Sequence, residues 1–275
     1  MTLRYYLKKN LFEISKPITN KTLQFKNQHL NQSCYIFGDG VSLKWFDLEA
    51  FANKPSILLN KFILHKDANK LDLKYHFLIE PFFFYPYFKL PKHLGAKWWR
   101  NRIKDKVLDF YEKNKNINKF VSLSNYPVLR GDNFFYFFQN FNDDDFSFLK
   151  ECKMSQINIF EGCFRTAIFF SIFMGFKDIY LVGCDYTHEN SRSGHWYEKG
   201  VGEYSSHKYY QHHFLKLASK YSNIITITLD GAGNFLPSIT YEKYTGLNKN
   251  FKENYDIADK DILKTLNTWP GYEIF

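Results

Sequence analysis

The stretch Gly175-Phe176-Lys177-Asp178-Ile179-Tyr180-Leu181-Val182-Gly183-Cys184-Asp185-Tyr186 decides the fold class. Its apolar run, Ile179 to Gly183, is too short for a helix and lies just past a glycine. It reads as a strand buried on both faces, as strands of parallel sheets are. The run ends in small residues and an acid, then passes into a loop rich in His, Ser and Tyr. Ligands of open α/β sheets sit in the crevice beyond the carboxyl ends of the strands. The loop from Asp185 to about His207 is therefore where chemistry is expected.

Working outward, residues 162–175 are apolar almost all round, which suits a helix buried on several sides. A helix near 208–221 and a strand from Ile224 to Leu229 follow the polar loop. Earlier, Ser33 to Phe37 read as a strand that runs through Gly38-Asp39-Gly40 into a helix beginning near Ser42. Further strands are expected at Ser56 to Asn60, at Tyr75 to Ile79 (closed by Glu80-Pro81) and at Lys119 to Ser124. Strands alternating with helical segments predict an α/β fold with a single Rossmann-like, doubly wound and mainly parallel sheet. Residues 31–275 form that domain, and residues 1–30, polar with weak periodicity, are an N-terminal extension with room for a partial helix. The Phe82 to Phe88 cluster is expected in the core rather than as a sugar-stacking platform. Trp98-Trp99-Arg100-Asn101-Arg102-Ile103-Lys104 mixes aromatics with cations, and fits either an interfacial helix or a solvated one with two buried Trp.

The chain has 275 residues, of which 45% are hydrophobic, enough for a sizeable core. Its 30 Phe accompany many Lys, Asn and Ile residues, so codon bias accounts for much of the aromatic excess. A net charge of +9 favours partners carrying phosphate or carboxylate, or an anionic membrane face. Nucleic acid is not expected, because the basic residues are dispersed and no nucleic-acid-binding signature occurs. Cys34, Cys152, Cys163 and Cys184 sit singly, without CxxC or a His at metal-ligand spacing, so reduced thiols and no metal site are expected. No window approaches about 18 uninterrupted apolar residues, and the N-terminus has no apolar h-region. A cytoplasmic location follows, with peripheral contact to the inner membrane left open; the oligomeric state is not legible.

Gly38-Asp39-Gly40 after a strand would let the backbone approach a phosphate at a helix N-terminus. A tight turn needing positive φ explains the two glycines equally well. More telling is the series that follows. Asn60 ends the second strand, Glu80 the third, Glu161-Gly162 opens the buried helix, and Asp185 ends the next strand. Polar residues at successive strand ends are what a nucleotide pocket needs.

In that order, Ile36-Phe37-Gly38-Asp39-Gly40-Val41-Ser42-Leu43-Lys44, Leu59-Asn60-Lys61-Phe62, Phe77-Leu78-Ile79-Glu80-Pro81 and Glu161-Gly162 through Asp185 resemble the bacterial sialyltransferases of glycosyltransferase family 42. They also resemble the broader DUF115 surface-glycan group. The resemblance implies a glycosyltransferase using a nucleotide-activated sugar, foremost a CMP-nonulosonic acid, in bacterial surface polysaccharide or lipooligosaccharide biosynthesis. The implied acceptor is a glycan or glycolipid, and no cofactor is implied. Asn60 matches the family's second pocket Asn, whereas Asp39 and Glu80 replace the first and third, and Glu161-Gly162 replaces Ser-Gly. An acid at those places can accept from ribose hydroxyls or a base amino group.

The resemblance further implies hydroxyls for the departing phosphate at Thr187, with Tyr186, His188 and Tyr197 close by. It implies His207 as general base, with His188 and His195 as competitors. Two other readings stay open. Asp39, Glu80 and Asp185 would suit the Mg²⁺ of a pterin-type pyrophosphokinase. A non-catalytic nucleotide-sugar-binding module could keep the fold without the reaction.

Overall fold

The apolar runs become strands because each can bury both faces at once. In β1 (Ser33–Phe37), Cys34 and Ile36 join the core on one side of the sheet, while Tyr35 and Phe37 join the core on the other. All four are fully buried. The computed structural model describes residues 3–85, 97–138, 162–187, 191–205, 212–230 and 235–266. Among them, β2 (Ser56–Leu59), β3 (Leu73–Leu78), β4 (Asn118–Ser122) and β5 (Phe134–Phe137) extend the sheet to one side of β1. On the other side lie β6 (Asp178–Val182), β9 (Asn223–Thr228) and β10 (Ser238–Thr240). The order is β10-β9-β6-β1-β2-β3-β4-β5, and every pairing is parallel. β7 (Ser191–Arg192) and β8 (Tyr204–Ser205) form a separate antiparallel hairpin.

The strand order reverses between β1 and β6, where Phe37 pairs with Val182. This topological switch point sets the turn after β1 beside the loop after β6, at the carboxyl ends of the strands, where open α/β sheets bind their ligands. The expected strands stand within a residue or two of their places, and Gly162–Phe173 is the helix buried on several sides.

One local expectation gives way to packing, and two edge strands arise where none was expected. Val41–Trp45 is a 3-10 turn rather than the opening of an α-helix, with Val41, Ser42, Leu43 and Lys44 all buried. A segment enclosed on every side has no amphipathic stripe to extend, and no phosphate-binding helix N-terminus follows the Gly38-Asp39-Gly40 turn. The short strands β5 and β10 lie at the two sheet edges. They were not legible because four aromatics in a row, or three residues, carry no distinguishing period. Residues 1–30, read as an extension with room for a partial helix, hold a helix (Leu3–Thr19) and a 3-10 segment (Asn20–Phe25). Phe25 packs edge-on against Tyr75, Phe120, Phe135 and Phe170. The N–H groups of Asn27, His29 and Asn31 donate to the carbonyls of Phe173, Met174 and Gly175.

Much of the phenylalanine excess lies in this core, as in the face-to-face stack of Phe77 on Phe120 at 4.6 Å. Phe83 and Phe84 are buried as expected, whereas Phe88 of the same cluster lies outside the described residues. Cys34, Cys163 and Cys184 are buried free thiols, and Cys152 lies outside the described residues.

Two buried histidines set the acid sensitivity of this core. His76 is enclosed between the Tyr111 hydroxyl at 2.7 Å and the Asn60 carbonyl at 2.9 Å, and burial pushes its pKa down to about 4. Burial does the same to His65. Each contributes stability that is full above pH 6.5 and is lost as pH falls through about 4, worth about 3 kcal/mol apiece. Asp185, pushed up by burial to about 6, has the opposite sign: its contribution is full below 3.8 and is lost as pH rises through about 6. Burial raises the Asp39 pKa as well, so two carboxyls oppose the two histidines. His76→Gln should therefore flatten the fall in urea midpoint between about pH 7 and 4.5 relative to the wild type, and an unchanged slope would contradict the histidine contribution.

Candidate active site at the switch point

The two strand ends at the switch point touch so closely that glycine is obligatory. A Cβ on Gly38 would come within 2.5 Å of the Gly183 carbonyl oxygen. One on Gly40 would stand 2.5 Å from Asp185 Oδ2 and 2.6 Å from that same carbonyl. The glycines of the Gly38-Asp39-Gly40 turn thus serve contact with β6, and neither has the positive φ that a tight turn would demand. Asp185 lies in the joint, 2% exposed, where its carboxylate accepts the Ser42 N–H at 2.8 Å and the Ser42 hydroxyl at 2.5 Å. Burial raises its pKa and the two Ser42 hydrogen bonds hold it back. Thr187 is likewise buried, its hydroxyl donating to the Cys184 carbonyl at 2.7 Å. Asp185 therefore knits the two strand ends together, while Thr187 closes the turn after β6.

The hairpin loop then folds down over the turn after β1. His195 forms a backbone bridge with Gly40. The Trp196 N–H donates to the Asp39 carbonyl at 3.1 Å, and the Trp196 indole donates to Asp39 Oδ1 at 3.2 Å. The Lys61 N–H donates to Asp39 Oδ2 at 3.4 Å. Burial raises the Asp39 pKa, while Lys61 and His195 draw it back.

At the end of β2, Asn60 adopts a left-handed conformation (φ +49), which Asn tolerates better than most side chains. Its N–H donates to the Phe77 carbonyl at 3.0 Å and its carbonyl faces His76, so the β2–β3 junction holds this conformation in place. The half-buried Asn60 amide makes no hydrogen bond with the described residues. Next to it, the Lys61 ammonium donates to the Tyr197 hydroxyl at 3.0 Å. Burial lowers the Lys61 pKa, and the carboxylates of Asp39, Glu80 and Glu198 oppose that shift.

Tyr197 is fully buried and carries the His195 ring face to face, with centroids 5.0 Å apart and planes at 11°. His195 Nδ1 lies 2.6 Å from Glu198 Oε1. The Tyr186 ring flanks His195 at 6.2 Å, and its hydroxyl accepts the Gly194 N–H at 3.3 Å. Beneath the loop, Lys44 is wholly buried, donating to the Glu198 carbonyl at 2.5 Å and the Gly200 carbonyl at 2.6 Å. Its ammonium lies 3.7 Å from Glu253, which also receives the Gly200 N–H. Asn254 donates to the Tyr197 carbonyl at 3.0 Å.

Gly38, Asp39, Gly40, Asp185, Tyr186, Thr187 and Tyr197 stand at or beside the joined ends of β1 and β6, with Asn60 at the end of β2. Glu80 follows β3 within electrostatic reach of Lys61. Gly162 opens its helix at φ +85, and the Ile79 N–H donates to neighbouring Cys163 Sγ at 3.1 Å, which draws that helix start to the end of β3. His188, His207 and Glu161 lie outside the described residues. Sequence reasoning gave no individual role to Lys44, Lys61, Trp196 or Glu198. The consecutive His195-Trp196-Tyr197-Glu198, four functional side-chain types in an otherwise small and polar loop, was the available signal.

No family model matches this chain, and no curated protein sequence matches it. Among solved structures it is similar to the monofunctional alpha-2,3-sialyltransferase Cst-I of Campylobacter jejuni, at 17% identity and a TM-score of 0.47, over 86% of this chain and 95% of that one. It is also similar to C. jejuni CstII with cytidine-5'-monophosphate, at 13% identity and a TM-score of 0.43, over 87% and 99%. Likeness of this degree carries no inference about chemistry, which rests on the residues above.

The buried Lys44 clamp generates a direct expectation. Lys44→Met leaves the Glu198 and Gly200 carbonyls without their buried donor and should cost about 3 kcal/mol. Amide exchange across residues 196–200 should quicken along with the loss in denaturant midpoint. An unchanged midpoint and unchanged exchange would show that the clamp is not needed.

Proposed function

We propose that this protein is a glycosyltransferase that takes its sugar from a nucleotide-activated donor, foremost a CMP-linked nonulosonic acid. The product would be a bacterial surface polysaccharide or lipooligosaccharide. The observation that carries the reading is Lys61, a half-buried ammonium just past β2 that donates to Tyr197 and lies within electrostatic reach of Asp39, Glu80 and Glu198. As the bond between sugar and phosphate breaks, charge gathers on the phosphate oxygen, and a fixed ammonium in a partly dry crevice stabilises it. Asn60, Asp39 and Glu80 offer acceptors for ribose hydroxyls or a base amino group. The Tyr186 hydroxyl borders the same crevice.

A cation built into the chain makes a metal unnecessary for this chemistry. The pyrophosphokinase reading would need Asp39, Glu80 and Asp185 as Mg²⁺ ligands. Of these, Asp39 already receives hydrogen bonds from Trp196 and Lys61, and Asp185 is sealed against Ser42. The proposed acceptor is a glycan or glycolipid, and the net charge of +9 suits work beside an anionic membrane. Among the described residues no helix is long and apolar enough to cross one.

Calorimetric titration with CMP, UDP, GDP, CDP and ATP, each with Mg²⁺ and with EDTA, tests the reading. CMP should bind equally well in both, and Lys61→Met should weaken it by about 10- to 100-fold, as loss of a charged hydrogen-bond donor does. Binding that requires Mg²⁺ would favour the pyrophosphokinase. Binding without any release of CMP from a CMP-sugar would favour the non-catalytic module. A protein that binds none of the five nucleotides is not a glycosyltransferase of this kind.

A further inference from the structure

We propose that the cavity between the segment after β2 and the helices Lys97–Lys113 and Lys260–Leu266 is a second ligand site, which holds a neutral oligosaccharide. That this sugar is a stretch of the acceptor glycan rests on the glycosyltransferase reading; that the cavity binds sugar does not. The cavity measures about 600 Å³, within the range of sites that enclose a small ligand. None of the switch-point residues lines it. It adjoins them through His65, five residues past Asn60, whose ring meets Trp196 edge-on at 5.1 Å.

The lining disfavours ions of either sign. Lys66, Lys106, Lys113 and Lys260 stand in it with Asp109, Asp259 and Asp261, so an anion would meet carboxylates and a cation would meet ammoniums. Among the described residues, none of these side chains is in an ion pair. Unpaired charges of both signs suit a neutral ligand whose groups donate and accept alike, and hydroxyls do both. Hydrogen bonds to charged partners are also the stronger ones. Phe110, half-buried in the same wall, offers an apolar surface for the C–H face of a sugar ring.

The buried His65 is an independent sign of a ligand. Its Nδ1 accepts the Asp67 N–H at 3.1 Å, which leaves the proton on Nε2. That Nε2 is buried and has no hydrogen-bond partner among the described residues. The rings that His65 touches, Phe62 and Trp196, carry no acceptor oxygen. Buried donors are nearly always paired, and His65 is itself part of the cavity wall. A ligand hydroxyl in the cavity supplies the acceptor that Nε2 lacks.

The test titrates the protein with lactose, maltotriose and the trimer of N-acetylglucosamine, with sodium phosphate as the charged control, followed by calorimetry and NMR. At least one of the sugars should bind with a Kd of about 1 mM or tighter, whether or not CMP is present. Asp109→Ala and Lys106→Met, both on the outer helix, should each weaken that sugar about 10-fold while CMP binds as it does to the wild type. The His65 Nε2–H resonance should shift as the sugar is added. Sugar binding that both variants leave unchanged, or that leaves the His65 resonance unmoved, lies elsewhere and overturns the assignment. Failure of all three sugars to bind, or competition of phosphate with the bound sugar, overturns it as well. A protein that binds sugar here yet binds no nucleotide overturns the glycosyltransferase reading alone.

Discussion

The joint between the ends of β1 and β6 is the constraint on which the rest of the site depends. Asp185 is nearly sealed from water, and burial alone would make its charge expensive. Two hydrogen bonds from Ser42, one from the backbone and one from the hydroxyl, compensate it. They can form only because Gly40 has no Cβ to hold the two chains apart. The turn after β1 is therefore pulled down onto the β6 loop. That places the Asp39 carboxylate and carbonyl where Trp196 can donate to both. A side chain at Gly40, or loss of Ser42, would disturb the hairpin loop several contacts away.

From that joint the electrostatics of the crevice follow. Three carboxylates, on Asp39, Glu80 and Glu198, surround one ammonium, on Lys61, and partial burial strengthens the attraction between them. Tyr197 is the plate on which this arrangement is mounted, with Lys61 at its hydroxyl and His195 on its face. The plate is itself immobile, since Asn254 holds its carbonyl and Lys44 holds the two carbonyls at Glu198 and Gly200. Burying Lys44 without these acceptors would be strongly unfavourable, so loop and lysine stabilise one another.

Particular residues show how far the sequence could be read. The Ile179 to Gly183 run announced a doubly buried strand, because only a strand of a covered parallel sheet can be apolar on both faces at that length. Asn60 was legible as a strand-end polar residue, but its left-handed backbone depends on the grip of His76 across the β2–β3 junction. Asp185 was legible as the acid ending a strand, yet its burial against Ser42 was not, since the two lie 143 residues apart. The Gly38-Asp39-Gly40 turn reads from sequence as a phosphate cradle or a positive-φ turn. Its glycines answer instead to a steric contact with Gly183 and Asp185. Lys61 carried no periodicity or motif of its own.

Taken by itself, the sequence determined the fold class. Local runs of apolar residues, their lengths and the breaks between them dictate which segments must bury two faces, and that suffices for a doubly wound parallel sheet. It also determined that polar residues cluster at the strand ends. Only the tertiary structure decided which of those polar groups face each other and which are used up in packing. Trp196 reaches Asp39 across 157 residues, and Lys61 meets Tyr197 across 136. Pairings at such separations follow from strand order and loop closure, which no local pattern encodes. That is why Asp185 became a joint, and why Lys61 and His195 meet on Tyr197.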